Sequence, residues 1–275
     1  MKTSTTTSLL IIAAAAITSI ARLNASDMII STSEGVGAFN TTLGNVNVET
    51  FDSLSTGVNN NVSWNGVGTF DSLNVKNADQ YGGAPTAASP NGSKYAVEGL
   101  GVVNTTTLKL NTASSYFGLY WSAGDAANDL KFYNGTTLVA DFTTANLMNK
   151  LPGSYYGNPI TSGYNAGANS GEPYGFINFV GDANTSWDSI VFGNNGGSGF
   201  EADNYTSRVN GWNPTTDGAL PGKPLLELKD GQITTISAVP AGFAAAGAPA
   251  PPMTACLAFA GVLLLQALRR AKSVA

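Results

Sequence analysis

The central part of the chain, residues 45–208, consists of short alternating or wholly apolar runs separated by Gly, Asn, Ser and Asp. Apolar residues at a period of two, with turn-forming residues at short intervals, are typical of strands rather than helices. The clearest unit is the pair of runs 130–133 and 136–142, which flank Asn134-Gly135. Because Asn-Gly favours the type I′ turn of a hairpin, this unit predicts two antiparallel strands.

The remaining runs indicate the fold class. About ten strands with turns at short intervals predict an all-β fold, an antiparallel two-sheet β-sandwich. The run 116–121 is bulky and apolar on both faces, so we expect it to be a central strand that is covered on both sides. The other strands are expected at 46–54, 62–70, 94–98, 106–110, 176–180, 187–192 and 200–206, within a domain that spans 26–210.

Residues 1–25 have the pattern of an export signal, with Lys2 followed by the apolar run 9–17 and then by small residues. A positively charged start, an apolar segment and a small-x-small cleavage site define a secretory signal peptide. Ala21 and Ala25 are the candidate cleavage positions. We interpret the segment as a signal helix that is removed on export. The alternative is an amphipathic first helix of a cytoplasmic protein.

The other end of the chain carries an apolar run, 253–268, and then a basic cluster that begins at Arg269. As a helix this run would rise about 24 Å, slightly less than the roughly 30 Å hydrocarbon core of a bilayer, so it predicts a short transmembrane helix. The basic cluster would remain on the cytoplasmic side. We interpret 211–252 as a linker, with a short additional strand at 225–228 as the alternative for its first part, and 253–275 as a hydrophobic helix with a basic tail. A buried core helix is the alternative.

This tail resembles the PEP-CTERM sorting signal of Gram-negative bacteria, which consists of a Pro-Glu-Pro tripeptide, a short hydrophobic helix and a terminal Arg cluster. Pro249, Ala250 and Pro251 stand at the position of the tripeptide, with Ala250 in place of the glutamate, and Arg269 and Arg270 begin the cluster. The resemblance implies that an exosortase, the processing enzyme, removes the tail when the protein is delivered to the surface.

Four short strings in the β region occur in a set order: 116–121 (YFGLYW), 132–135 (FYNG), 176–179 (FINF) and 200–204 (FEADN). Their order, together with the tail, resembles a family of exosortase-dependent surface proteins. That resemblance implies a jelly-roll-like sandwich with no enzymatic activity. It also implies the export machinery and an exosortase as partners.

Composition and charge exclude several classes of function. The chain has no histidine and a single cysteine, Cys256. Imidazole-activated nucleophiles, His-containing zinc sites and an intramolecular disulfide are therefore excluded. All 18 acidic residues lie between the terminal segments, whereas five of the 13 basic residues lie within them. Such an acidic body disfavours nucleic acid, whose phosphates need Lys or Arg, and direct adhesion to anionic lipid.

Glu201 and Asp203 lie two apart on a predicted strand, so their side chains project from one face, next to Asn204. Carboxylate and amide oxygens in that arrangement suit a hard cation such as Ca²⁺. Jelly-roll carbohydrate-binding modules take a further acid from the first strand, and Glu49 or Asp52 would be its counterpart here. The alternatives are two solvated acids on an edge strand, or the carboxylate pair of a glycosidase.

Aromatic residues outside the predicted strands are candidates for a platform on which sugars stack. Tyr155, Tyr156 and Tyr164 lie in a long Tyr-, Gly- and Asn-rich insertion, and Trp212 follows the last strand of the domain. Amphipathic rings often mark recognition surfaces. Packing within the loops is the alternative for the tyrosines. The tryptophans that fall within predicted strands are assigned to the core: Trp64, Trp121 and Trp187.

The two terminal segments and the acidic body predict a non-catalytic exported protein. We expect it in a Gram-negative envelope, held to the membrane by its C-terminal helix and then delivered to the cell surface or extracellular matrix. The alternative is a carbohydrate-binding module for extracellular polysaccharide, stabilised by calcium. A polysaccharide hydrolase is the third hypothesis.

Overall fold

A computed structural model describes residues 27–32, 35–78, 81–163, 165–196, 198–241 and 243. The predicted signal segment, with Ala21 and Ala25, and the predicted hydrophobic helix and sorting tail lie outside these residues. Within the described ranges, no helix is long and apolar enough to cross a membrane. The helical elements found there are two short 3-10 turns, Met148–Lys150 and Gly153–Tyr155.

The regular secondary structure of the described residues is almost wholly β, and every pairing between the strands is antiparallel, which confirms the predicted class. The strands are β1 Met28–Thr32, β2 Asn47–Glu49, β3 Gly57–Trp64, β4 Gly68–Lys76, β5 Tyr95–Gly99, β6 Thr105–Ser114, β7 Tyr116–Ser122, β8 Asn128–Asn134, β9 Thr137–Thr143, β10 Gly175–Gly181, β11 Trp187–Asn194, β12 Gly199–Arg208, β13 Lys223–Lys229 and β14 Gln232–Thr235.

The strands form one curled sheet rather than the two separate sheets that were predicted. Its order is β14-β13-β1-β10-β7-β12-β5-β4-β6-β11-β8-β9, with β2 beside β12 and β3 beside β4. The strand β5 joins the two halves because Ala96 pairs both with Ala202 on β12 and with Val75 on β4. The hydrogen-bonded ladder is therefore continuous through β5, where a two-sheet sandwich would have a gap between its sheets.

Aromatic contacts show that the sheet curls back onto itself. The ring of Phe132 on β8 lies 4.9 Å from that of Phe179 on β10, and the rings of Phe142 on β9 and Phe179 are 5.3 Å apart. Phe132 is also 6.2 Å from Phe117 on β7. Since β8 and β9 stand at the opposite end of the strand order from β10, these contacts can form only across the interior. The main core fills that space.

The predicted hairpin at 130–142 is confirmed, with a different turn. Asn134 pairs with Thr137, which leaves Gly135 and Thr136 as the two turn residues. Only Gly135 of these two has a positive φ, 58°. A type II′ turn requires a positive φ at its first central residue alone, so the turn is of this type rather than type I′.

The single strand predicted at 62–70 is a hairpin instead. β3 and β4 are joined by a turn in which the Val67 amide donates to the Trp64 carbonyl oxygen, 2.9 Å away. Gly66 in this turn has a φ of 76°. The turn begins with Asn65-Gly66, the dipeptide that marks the hairpin near residue 135.

The range 211–252, interpreted from sequence as a linker, contributes two strands to the sheet. β13 pairs with β1, and β14 pairs with β13. The segment between β12 and β13 is also fixed in place, because Arg208 forms a two-point ion pair with Asp217 at 2.7 and 3.1 Å. Trp212 and Leu220 in that segment pack with Tyr116 in a second apolar cluster on the outer face of the sheet.

The outer face is covered over β1, β10 and β7, so β7 is buried along its whole length, as predicted. A third apolar cluster there joins Ala84 of the loop after β4 to Tyr120 on β7 and Tyr174 before β10. The segment 77–94, through Ala84, and the end of the segment 149–174, at Tyr174, therefore pack over the outer face, whereas Leu151 and Tyr155 of the second segment enter the main core. The two segments position the candidate site.

Candidate functional site

The strand β12 places Glu201 and Asp203 on the outer face of the sheet, as predicted, while Phe200 and Ala202 point into the main core. β12 is not an edge strand, because β7 lies on one side of it and β5 and β2 lie on the other. Asp203 is fully buried. The interpretation of both acids as solvated residues on an edge strand is therefore wrong.

Asp203 anchors the loop between β4 and β5. Its Oδ2 atom accepts a hydrogen bond from the Ala84 amide at 2.8 Å and lies 2.8 Å from the Ser93 hydroxyl oxygen. Its Oδ1 atom accepts from the Asn204 amide at 2.7 Å. The carboxyl group thus ties two points of the loop to β12.

The Ser93 hydroxyl has two oxygens within hydrogen-bond reach, the Ala84 carbonyl oxygen at 2.7 Å and the Asp203 Oδ2 atom at 2.8 Å. A hydroxyl group has one hydrogen, and a carbonyl oxygen can only accept, so Ser93 donates to one of these two oxygens at a time. Burial raises the pKa of Asp203 to about 8, against the lowering effect of its amide and hydroxyl neighbours.

A bulge at Asn204 allows Asp203 to face outward while Tyr205 enters the core. Asn204 has a φ of 49°, and the pairing of β12 with β7 shifts between Asp203 and Thr206. An extra residue in a strand reverses the alternation of faces beyond it. The Asn204 side-chain amide donates to the Phe39 carbonyl oxygen at 2.9 Å, so the bulge also fixes the segment after β1.

The oxygens predicted to hold calcium are engaged elsewhere. Asp52 accepts from the Lys94 amide at 3.1 Å, and Glu49 accepts from the Phe51 amide at 2.9 Å. In the part of the chain that the structure describes, no three acidic or cysteine side chains converge closely enough to hold a metal ion. The residues present at Glu201, Asp203 and Asp52 therefore do not fit a calcium site.

A glycosidase that uses Glu201 and Asp203 is also incompatible with this arrangement. The two carboxyl groups of a glycosidase must flank the scissile bond. Glu201 lines an open cleft, but Asp203 does not reach it and is sealed beneath the loop that it anchors.

The cleft that Glu201 lines has a volume of about 310 Å³. It opens on the outer face, where the loop after β4, the β7–β8 connection and the insertion before β10 meet. The side chains of Tyr81 and Leu100 stand at its rim, 42% and 45% exposed. Its charged groups are the carboxyls of Asp125, Glu172 and Glu201 and the ammonium of Lys76.

The acidic residues of the cleft raise one another's pKa values. The pKa of Glu201 is raised to about 8, mainly by burial and in smaller part by the charges of Asp125 and Glu172, while Lys76 acts in the opposite direction. Burial and the neighbouring Asp125 raise the pKa of Glu172 as well. Perturbed carboxyl groups in a cleft are characteristic of binding and catalytic sites.

Three residues that line the cleft have a left-handed backbone: Leu100 with a φ of 55°, Ala123 with 43° and Asn169 with 56°. For residues other than glycine this conformation costs roughly 1 to 2 kcal/mol. Asn tolerates it best, but Leu and Ala gain nothing from it locally. Backbone strain of this kind concentrates at functional sites.

Two of the four residues of the aromatic platform predicted from sequence, Tyr155 and Trp212, are buried. Tyr155 is 6% exposed in the main core, and Trp212 is 5% exposed in the outer cluster. The Trp212 indole nitrogen donates to the Gly218 and Ala219 carbonyl oxygens, both at 3.1 Å. Neither ring has a free face, so both predictions are corrected. Tyr156 is half-buried, and Tyr164 lies outside the described residues.

Trp64, Trp121 and Trp187 are in the main core, as predicted. Sequence reasoning missed Tyr81, Asp125 and Glu172 as residues of one site. Only one signal pointed to them: Tyr81 and Glu172 lie in two long segments of the sequence that match no strand pattern, 77–91 and 149–173. Comparison of the chain with protein-family models, with curated proteins and with solved structures finds no match.

Proposed function

We propose that this chain is a non-catalytic exported protein, sorted to the surface of a Gram-negative cell through its PEP-CTERM-like tail, with a curled sheet of jelly-roll-like type as its body. One observation supports it most. The described strands run from Met28 to Thr235, so both terminal segments can be removed without removing any strand that the structure describes. A folded body between a signal-like apolar start and an apolar end with a basic cluster fits an export and sorting route.

Cell fractionation and protease treatment of intact cells test this proposal. The expected result is a surface-exposed protein whose body is degraded by protease added outside. The double variant Arg269→Gln, Arg270→Gln should disturb sorting, because the basic cluster orients the terminal helix. The matched control is Lys109→Gln, Lys150→Gln, which removes two exposed charges from the body and should sort normally. A protein that remains in the cytoplasm would contradict the proposal.

A second candidate, carbohydrate binding, is favoured by the outer-face cleft. Its volume of about 310 Å³ lies at the small end of the range for ligand pockets, which suits a short saccharide. The exposed ring of Tyr81 offers an apolar face for a sugar ring, and the carboxyl groups and the Asn169 amide offer hydrogen bonds to hydroxyls. On this candidate the protein would hold extracellular polysaccharide at the surface.

Glycan-array binding distinguishes the cleft from the platform predicted by sequence. Tyr81→Ala should abolish binding, whereas Tyr156→Ala, in the insertion, should retain it. Loss of binding in Tyr156→Ala alone would place the ligand on the insertion instead. An absence of binding to every glycan would exclude this candidate and leave the sorting proposal untouched.

A further inference from the structure

The cleft on the outer face carries a marked excess of negative groups. Asp125, Glu172 and Glu201 contribute three carboxyls, and Lys76 contributes the one ammonium group among the described lining residues. These four residues come from four segments: the end of β4, the β7–β8 connection, the insertion before β10, and β12. The fold therefore gathers them at one place although the sequence does not.

The acids are coupled to one another through the space of the cleft. The charges of Asp125 and Glu172 both raise the pKa of Glu201, and that of Asp125 raises the pKa of Glu172. The free cleft is thus electrostatically unfavourable for its own carboxylates. A positively charged group placed among them would relieve this repulsion and stabilise their ionised forms.

A single metal ion does not fit this arrangement. Among the residues that the structure describes, no three acidic side chains converge on one point closely enough to ligate an ion. The carboxyl groups instead surround a space of about 310 Å³. That space suits an organic ligand that carries its charge on one part and fills the remaining volume with another.

The rim of the cleft indicates what the remaining part would be. Tyr81 is 42% exposed and Leu100 is 45% exposed, so both present apolar surface beside the carboxyl groups. A sugar ring has an apolar face of C–H groups and a polar edge of hydroxyls. Amphipathic aromatic side chains bind such rings by contact with the apolar face.

We propose that the cleft binds an amino sugar, a saccharide unit with a free protonated amine, so that the ammonium group lies among Asp125, Glu172 and Glu201 and the ring packs against Tyr81. This inference rests on the carbohydrate-binding candidate and names the class of its ligand. The cleft selects deacetylated units of a polysaccharide over their N-acetylated counterparts, because acetylation removes the charge and adds a group that needs space.

Isothermal titration calorimetry with two matched probes tests the inference: an oligomer of glucosamine and an oligomer of N-acetylglucosamine of equal length. The amine form should bind at least about tenfold more tightly, the equivalent of about 1.4 kcal/mol, and added salt should reduce the difference by screening. Glu172→Gln should lower affinity for the amine form and leave that for the acetylated form unchanged. Glu227→Gln, on β13 and away from the cleft, is the control with the same chemical change.

Each outcome gives a clear answer. Equal affinity for the two oligomers would overturn the inference and leave carbohydrate binding intact. No affinity for either would overturn both. If the preference for the amine persists in Glu172→Gln and also in Glu201→Gln, the amine lies elsewhere and the inference fails. Binding of the aliphatic polyamine spermidine as tight as that of the amine oligomer would show that the ring is not recognised, which also overturns it.

Discussion

Glu98 on β5 is a buried acid whose replacement should make the protein more stable at neutral and alkaline pH. It pairs with Phe200 on β12 and therefore faces the main core, where it is fully buried. Neither carboxyl oxygen has a hydrogen-bond donor with good geometry among the described residues. The neighbouring Thr106 hydroxyl already donates its hydrogen to the Ser72 carbonyl oxygen at 2.6 Å. Glu98 can therefore engage that hydroxyl only as a donor, in its protonated form.

The magnitude follows from the pKa of Glu98. Burial raises this pKa from 4.5 to about 8. Because the folded pKa lies above the unfolded one, the stabilising contribution is complete below pH 4.5 and is lost as the pH rises to about 8. Across that window the free energy of unfolding falls by up to about 1.4 kcal/mol per pH unit from this group alone. The total is at most on the order of 5 kcal/mol.

Glutamine has nearly the same shape and no charge at any pH, so Glu98→Gln removes this dependence. The side-chain amide of glutamine needs hydrogen-bond acceptors for both of its N–H hydrogens, which the site lacks. We therefore expect the variant to be less stable than the parent below pH 4.5 by about 1 to 2 kcal/mol. Near pH 8 it should be the more stable of the two by about 2 to 3 kcal/mol, because the proton-linked loss is absent.

Urea denaturation followed by tryptophan fluorescence at several pH values measures the effect, since Trp121 and Trp187 are fully buried. The difference between variant and parent should change sign between pH 4.5 and 8. Glu227→Gln on β13 is the control and should show no such crossing. If the parent and Glu98→Gln have parallel stability profiles, or the variant is less stable at pH 8, the reasoning is refuted.

Three further predictions concern the loop, the C-terminal strands and calcium. Ser93→Ala removes the hydroxyl between Asp203 and the loop. It should lower the free energy of unfolding by about 2 kcal/mol and speed proteolysis of residues 77–94. Unchanged protease sensitivity would contradict the anchoring role. Gly222→Ala would place a Cβ atom onto the Thr32 carbonyl oxygen, whereas Gly231, which has a similar φ, has open space around it. In urea denaturation Gly222→Ala should therefore be far more destabilising than Gly231→Ala. Equal losses of unfolding free energy would show that β13 does not dock on β1. EDTA should leave the melting temperature unchanged, because both Asp203 carboxyl oxygens already accept from backbone amides, those of Ala84 and Asn204. A fall of several degrees would restore the calcium hypothesis.

Local dipeptide signals predicted part of the fold. The Asn-Gly pair at residues 134–135 predicts the β8–β9 hairpin. The same pair at 65–66 marks the turn that divides the run 62–70 into two strands. Asp230 and Gly231 have φ values of 50° and 75°, as a type I′ turn requires, and they join β13 to β14. That turn was hidden by the linker-like composition of its surroundings.

The continuity of the single curled sheet could not be obtained from local patterns. It depends on Ala96 pairing on both sides, a long-range register that alternation of apolar residues does not specify. The central position of β7 was predictable, because a strand that is apolar on both faces needs cover on both faces.

The candidate site was predictable only in part. The period of two placed Glu201 and Asp203 on one face correctly, but nothing local indicates that a loop seals Asp203 and leaves Glu201 in a cleft. Tyr155 is a candidate for a sugar-stacking ring from sequence because it lies in an irregular segment, and such segments are usually at the surface. Here that segment packs into the core, so its composition was misleading.

The masses of the mature termini test the central proposal most directly. Protein recovered from its native cells, from the envelope or the medium, should begin directly after Ala21 or Ala25 and should end before Arg269. Recovery of an intact chain from Met1 to Ala275 in the cytoplasmic fraction would contradict export and sorting together.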